Sequence, residues 1–169
     1  KNKIAILGST GSIGKTLLKI ISKDKKNFQV QLLSANKNYK ELLRQANEFK
    51  VKNLIVTDKA SYNFVKNKVK KNVKIYNNFE NFKKIFKKKI DYTMSSISGI
   101  QGLKPTIEII KYTKTIAIAN KESIICGWDL IEKRLKKHKT NFIPVDSEHF
   151  SIWYALRDIN KELIEKIYL

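Results

Sequence analysis

Apolar residues recur along this chain in two alternating patterns. Runs such as Lys3-Ile4-Ala5-Ile6-Leu7, Phe28-Gln29-Val30-Gln31-Leu32-Leu33-Ser34 and Asn53-Leu54-Ile55-Val56-Thr57 have the length and β-branched content of buried strands. Between them the apolar positions fall three and four apart. Ile13, Leu17, Leu18, Ile20 and Ile21 form one such set, and Leu42, Leu43, Ala46 and Phe49 another over residues 39–49. Tyr62, Val65 and Val69 follow Asp58, a candidate N-cap. These spacings predict helices. Further on come a weaker strand at 73–76, a helix with Phe79, Phe82 and Phe86 on one side, and a strand at 91–95. A helix from Pro105 to Tyr112 and strands at 115–119 and 141–143 complete the reading. Strands alternating with helices need crossover connections, which predicts a parallel sheet covered on both faces.

All six glycines lie in three places: 8/11/14, 99/102 and 127. Gly8-Ser9-Thr10-Gly11-Ser12-Ile13-Gly14 follows a strand and opens a helix. In that context a glycine triplet gives a tight turn, a close approach of backbone to a diphosphate and close packing of helix on strand. Amides at the helix start then face an anion, with the helix dipole behind them. Thr10, Ser12 and Ile13 lie in this cradle. The expected fold class is α/β: a Rossmann-like, doubly wound, mostly parallel sheet with helices on both faces.

The second strand ends in Ser34-Ala35-Asn36-Lys37-Asn38. NAD-specific sites usually place an acid there, on the ribose 2′-hydroxyl. This chain offers Ser34, Lys37 and Asn38 instead. A cation and small donors attract the 2′-phosphate that a carboxylate would repel, so NADPH is the expected dinucleotide. An ordinary polar turn with a surface lysine is the alternative.

Composition narrows the field. At 169 residues the chain is about one domain long, and 42% hydrophobic content excludes global disorder. It carries 35 Lys+Arg against 15 Asp+Glu, a net charge of +20. Arginine occurs only at 44, 134 and 157, and Lys, Asn and Ile share AT-rich codons, so coding bias accounts for much of the charge. Arginine forks, stacking platforms and known modules for nucleic-acid readout are missing from the sequence, and charge alone gives only nonspecific affinity. No nucleic-acid partner is expected, and a basic nucleic-acid-binding module stands as the alternative from another class. A Rossmann-like interaction domain without chemistry is a further one. The single cysteine, Cys126, excludes an internal disulfide and a multi-cysteine zinc site. It is expected to be a buried small residue, which counts against a semialdehyde-dehydrogenase type of enzyme. No apolar run approaches the ~18–20 residues of a membrane span, so no membrane partner is expected. A strand begins at once after Lys1 and the chain stops at Leu169 without a polar tail, so a fragment of a longer protein is expected.

Two later segments carry chemistry. Ile118-Ala119-Asn120-Lys121-Glu122-Ser123 follows a strand end, where open α/β sheets present ligand loops. Pro144-Val145-Asp146-Ser147-Glu148-His149 follows the last strand. Residues two apart in an extended segment share a face, so Asp146 and Glu148 are expected to reach one hard cation, Mg²⁺ or Mn²⁺. That spacing by itself is common on surfaces. His149 is read as a packing or orienting group at least as much as a ligand, and His138 as a solvated helix end. Trp128 and Trp153 are read as core or domain-interface anchors.

The order GSTGSIG, SANKN, SGIQGLKPT, IANKES and PVDSEH, with its spacing, resembles the 1-deoxy-D-xylulose 5-phosphate reductoisomerase family over nearly the whole chain. The resemblance implies an NADPH-binding Rossmann-like domain at 1–143 and the beginning of a catalytic domain at 144–169. It implies NADPH-dependent isomerisation and reduction of 1-deoxy-D-xylulose 5-phosphate to 2-C-methyl-D-erythritol 4-phosphate, in non-mevalonate isoprenoid biosynthesis. A sugar-phosphate substrate, a homodimer and either a relict-plastid stroma or a bacterial cytoplasm come with it. By resemblance Thr10, Gly11, Ser12 and Ile13 hold the diphosphate region of NADPH, with Gly8 and Gly14 counted among the cofactor-binding residues for the turn and the helix packing. Lys37 and Asn38 match the 2′-phosphate end, with Ser34 and Asn36 beside them as cofactor-binding residues, and Asn120 and Glu122 match the nicotinamide side. Lys121 matches a catalytic, substrate-contacting lysine, and Ser147 a substrate contact. Asp146 and Glu148 match metal ligands, Glu148 also touching substrate as a catalytic group. Asn36 stands where the family commonly has glycine, and Asn tolerates left-handed geometry. Phe150-Ser151 stands where a polar-small pair is more usual. The family's third metal carboxylate, phosphate-binding residues and lid are expected past Leu169, so this stretch alone is expected to lack turnover.

Overall fold

The computed structural model describes residues 1–69, 71–160, 162 and 164–166. Its strands are β1 (Asn2–Leu7), β2 (Phe28–Ala35), β3 (Asn53–Val56), β4 (Lys74–Tyr76), β5 (Ile90–Ser95), β6 (Thr113–Ile118) and β7 (Asn141–Pro144). Its helices are α1 (Ser12–Ser22), α2 (Tyr39–Phe49), α3 (Lys59–Lys66), α4 (Phe82–Ile85), α5 (Leu103–Ile109), α6 (Lys121–His138) and α7 (Ser147–Leu156). The seven strands form one sheet in the order β4-β3-β2-β1-β5-β6-β7, with every ladder parallel. This is the doubly wound α/β arrangement that the alternation of patterns implies.

Side chains of β1 alternate between two cores. Ile4 and Ile6 meet Leu18 and Ile21 of α1 and Leu42 and Ala46 of α2. Ala5 and Leu7 meet Phe82 of α4, Ile109 of α5, and Ile124, Ile131 and Leu135 of α6. In β2 the alternation breaks. Ile4 pairs with Val30 but Ala5 with Leu32, so Gln31 is an extra residue and Val30 and Leu32 face opposite cores. Asn53 Nδ2 donates to the Gln31 carbonyl at 3.1 Å and ties this bulge to β3.

Four expectations are corrected. The helix after Asp58 ends at Lys66, short of Val69, and the phenylalanine segment contains one short turn of α-helix rather than a full helix. The 18-residue α6 was not read from the pattern, because Gly127 (φ −135°, ψ 17°) breaks its period and Ile125, Trp128 and Leu130 of the same helix are exposed. Cys126 lies on that outer side and is exposed, not buried. His138 ends α6 as expected but is half-buried rather than freely solvated. Its Nε2 is sealed without a hydrogen-bond partner among the described residues, and Lys89 Nζ donates to its carbonyl at 2.5 Å. Burial, with Lys137, Lys89 and Arg134 nearby, holds its imidazole pKa below the ordinary value. Trp128 does anchor packing, with its ring 5.3 Å from that of Phe142. No described helix is long and apolar enough to cross a membrane.

The chain winds outward from β1 to β4, then crosses to β5 on the other side of β1. The crossover direction reverses between β1 and β5, and ligands of open α/β sheets sit at the carboxyl ends beside such a reversal. α2 flanks that corner. Its N-cap Asn38 accepts from the Glu41 N–H at 3.3 Å, and Arg44 donates to both Glu41 oxygens at 2.8 Å. Arg44 above all, helped by Gln45 and Lys15, lowers the Glu41 pKa from 4.5 to about 2. A folded value below the unfolded one adds stability above the unfolded pKa and loses it as pH falls through the folded one. Urea unfolding should therefore show wild-type stability dropping between pH 4.5 and about 2, with a visibly shallower drop for Glu41→Gln.

Candidate active site

Gly8 leaves β1 with φ +81°, and a Cβ there would lie 2.6 Å from the Ser96 carbonyl oxygen. Its N–H donates to Ser34 Oγ at 2.9 Å, and the Ser9 N–H donates to the Ser34 carbonyl at 2.9 Å. The buried end of β2 thus fastens the first turn. A Cβ at Gly14 would come 2.5 Å from Ser9 Cα, so α1 packs directly under the loop. α1 begins at Ser12 with Gly11 as N-cap, no side-chain cap and no acid in its first turn. By contrast Asn38, Asp58, Asn120 and Asp146 cap α2, α3, α6 and α7 with their side chains. The first amides of α1 therefore keep their donors and the positive dipole end free for an anion. Gly14-Lys15-Thr16 would close a P-loop of the Walker type only if residue 9 were glycine, and it is a buried serine.

A cleft of about 480 Å³ opens beside this loop, lined by Gly8, Thr10, Gly11, Ser34, Asn36, Thr57, Phe79 and Gln101, among others. A second hollow of about 380 Å³ is lined by Ile13, Asn120, Lys121, Glu122, Asp146, Ser147 and Glu148. Ser96, Ile97 and Ser98 line both. Asn120 lines the second hollow, yet its amide is fully engaged. Nδ2 donates to the carbonyls of Ile97 and Gly99, and Oδ1 accepts from the Ser123 N–H at 2.7 Å. It staples the loop after β5 to the start of α6.

The acidic pair is placed differently from the extended segment expected. Asp146 is the N-cap of α7, and Glu148 lies in that helix's first turn. Their carboxylates reach one hollow because cap and first turn share a helix end, not because side chains alternate along a strand. Asp146 Oδ1 accepts from the His149 N–H at 3.0 Å and lies 2.5 Å from His149 Nδ1. Asp146 Oδ2 is buried with no hydrogen-bond partner among the described residues. The N–H of Glu148 itself, the Ser147 hydroxyl and the Lys121 ammonium keep the Glu148 carboxyl below its ordinary pKa, against repulsion from Asp146. A sealed carboxylate oxygen with free lone pairs beside an ionised carboxylate fits a hard divalent cation. Among the described residues no group of three or more His, Cys, Asp or Glu is placed to hold a metal, so such an ion needs further ligands.

Residues 4–127 match the family described as 1-deoxy-D-xylulose 5-phosphate reductoisomerase. The chain belongs to this family. It is 62% identical to the 1-deoxy-D-xylulose 5-phosphate reductoisomerase of Pelagibacter ubique over 171 residues, which covers 99% of this chain and 44% of that protein. The reductoisomerase of Zymomonas mobilis, solved with NADPH, superposes with a TM-score of 0.79 at 34% identity, covering 88% of this chain and 39% of that one. A reductoisomerase solved with NADPH, fosmidomycin and magnesium superposes at 0.84 with 30% identity, covering 93% and 40%. The chain spans less than half the length of the curated relatives it matches.

Within this reductoisomerase-family chain most of the expected site residues converge on the two adjoining hollows. Others do not line them. Gly14 is buried beneath the loop, and Ser12 faces a separate apolar hollow with Met94 and Val145. Lys37 and Asn38 are exposed and line neither hollow, and the Asn38 side chain caps α2. The sequence reading missed Ser96, Ile97 and Ser98. The sequence signal was only that they follow a predicted strand; that this strand ends beside the reversal point is decided by the strand order of the folded sheet. Gly8 and Gly99 both have positive φ, but a Cβ at Gly99 would meet nothing within 4 Å. Gly8→Ala should cost more stability in urea denaturation than Gly99→Ala, about 2–4 kcal/mol against about 1–2, because only the former adds a backbone clash to the left-handed cost.

Proposed function

We propose that this chain supplies the dinucleotide-binding and metal-facing part of an NADPH-dependent enzyme converting 1-deoxy-D-xylulose 5-phosphate to 2-C-methyl-D-erythritol 4-phosphate. The observation that carries the reading is the shared wall of Ser96, Ile97 and Ser98, which sets the glycine-loop cleft beside the hollow of Lys121, Asp146 and Glu148. When bound, NADPH supplies hydride, and Mg²⁺ or Mn²⁺ supplies a Lewis acid for the ketone and adjacent hydroxyl of the sugar phosphate.

The chain's own residues bind and orient. Free amides at the start of α1 hold the diphosphate, and Lys37 with Asn38 meets the 2′-phosphate where the end of β2 carries no acid. Glu122 lies on the nicotinamide side, and Asn120 shapes that side by holding the loop after β5. Asp146 and Glu148 hold the cation. Lys121 and Ser147 contact the substrate, and the Lys121 ammonium also keeps Glu148 ionised. Fixing dinucleotide and substrate side by side lowers the entropic cost of hydride transfer. In this reading residues 1–143 form the dinucleotide domain and 144–169 begin the catalytic one. The surface of α7 supports that division, since none of its residues is buried and Phe150 and Tyr154 are exposed.

Asp146→Asn keeps an N-cap acceptor but removes the charge. In the full-length enzyme it should abolish metal-dependent turnover while NADPH affinity, measured by fluorescence titration, stays near wild type. Persistent turnover would remove Asp146 from the metal site. Lys37→Asp should weaken NADPH at least about tenfold more than NADH, since it replaces attraction of the 2′-phosphate with repulsion. An equal effect on the two dinucleotides would remove Lys37 from that corner.

A further inference from the structure

Gln45 of α2 lies beneath the glycine loop and is 1% exposed, while its apolar neighbours Leu42 and Ala46 fill the core. Burying an amide in such a stripe is unfavourable unless each polar atom is bonded. Here each is. Gln45 Nε2 donates to the Ser9 carbonyl at 3.0 Å and to Glu41 Oε1 at 3.1 Å. Ser9 Oγ in turn donates to Gln45 Oε1 at 2.8 Å. A carbonyl and a carboxylate only accept, so the nitrogen end of the amide must face them and its oxygen must face the Ser9 hydroxyl.

Ser9 is completely buried and lies between the Gly8 turn and Thr10, which lines the cleft. It is held from three elements at once: Ser34 of β2, Gln45 of α2, and Gly14 of α1 pressed against its Cα. Of the three, Gln45 is the one that reaches it by a side chain satisfying both its carbonyl and its hydroxyl. The same helix carries Asn38 at its N-cap, where its side chain accepts from the Glu41 N–H, while the Glu41 carboxylate accepts from the Gln45 amide that also reaches Ser9. One rigid helix therefore joins the loop expected to grip the diphosphate to the corner expected to grip the 2′-phosphate.

We propose that Gln45 is a positioning residue for the dinucleotide, locking Ser9 so that the glycine loop and the start of α2 keep the separation of the two phosphate sites. The proposal rests on the NADPH reading given above. It is tested by titrating NADPH and NADH into the full-length wild-type enzyme and into Gln45→Met, which keeps the side chain's bulk but removes its hydrogen bonds. The expected result is an NADPH Kd raised about tenfold, well below the variant's Tm, because the Ser9 carbonyl loses its side-chain donor and the loop relaxes. NADH, which has no 2′-phosphate and engages only the glycine loop, should weaken by a clearly smaller factor, and an equal loss for both dinucleotides would overturn the separation role. Leu42→Val, which trims the same helix without touching the loop, should lower Tm while leaving Kd at the wild-type value. Gln45→Met binding within about twofold of wild type would overturn the proposal, as would Leu42→Val weakening NADPH as much as Gln45→Met. If Gln45→Met does not fold, Ser9→Ala carries the test: an NADPH Kd raised about threefold supports the proposal and an unchanged one overturns it. A wild-type enzyme that binds no NADPH would end the functional reading, and this proposal with it, which is a different result from a wild type that binds and a Gln45 variant that binds equally well.

Discussion

Two hydrogen bonds, from the N–H groups of Gly8 and Ser9 to Ser34, fix how the chain leaves its first strand, and the site is built outward from them. Parallel strands leave their loops at one edge, and a loop there stays open unless something fastens it. β2 does so with a side-chain oxygen and a carbonyl of one buried serine. With the turn fixed, Gly14 brings α1 up against Ser9, and the uncapped start of α1 is aimed along the edge of the sheet. The reversal between β1 and β5 then leaves a crevice there rather than another crossover.

The second half of the site is fastened by similar means. Asn120 ties the loop after β5 to α6, and Asp146 ties the end of β7 to α7, each through an oxygen that accepts a helix N–H. Helix capping and site geometry are therefore the same interactions here. One oxygen of Asp146 is taken by the cap and by His149, while the other is buried and unbonded among the described residues. That division of labour lets one carboxylate hold a helix and still offer a lone pair to a cation.

The strong background charge has little part in this arrangement. Most lysines lie on exposed faces, and those that matter do so through particular neighbours. Lys121 stabilises the ionised Glu148, Lys15 helps keep Glu41 ionised, and Lys89 closes the end of α6.

The sequence by itself determined the α/β class, the glycine turn and most of the residues that line the two hollows at the carboxyl edge of the sheet. These depend on local periodicity, on φ preferences and on which loops follow strands, and all three are written along the chain. The kinked α6 escaped because Gly127 and the outward apolar side chains blur a helical stripe. Cys126 followed it to the wrong side, since its exposure depends on the rotation of that helix. Gln31 gave no signal, because a bulge is defined by pairing with another strand. Only the tertiary structure made Asp146 a cap, put Ser96–Ser98 between two hollows and set Gln45 under Ser9. Each of these joins residues from different elements, and the bonds that decide them exist only once the sheet has brought those elements together.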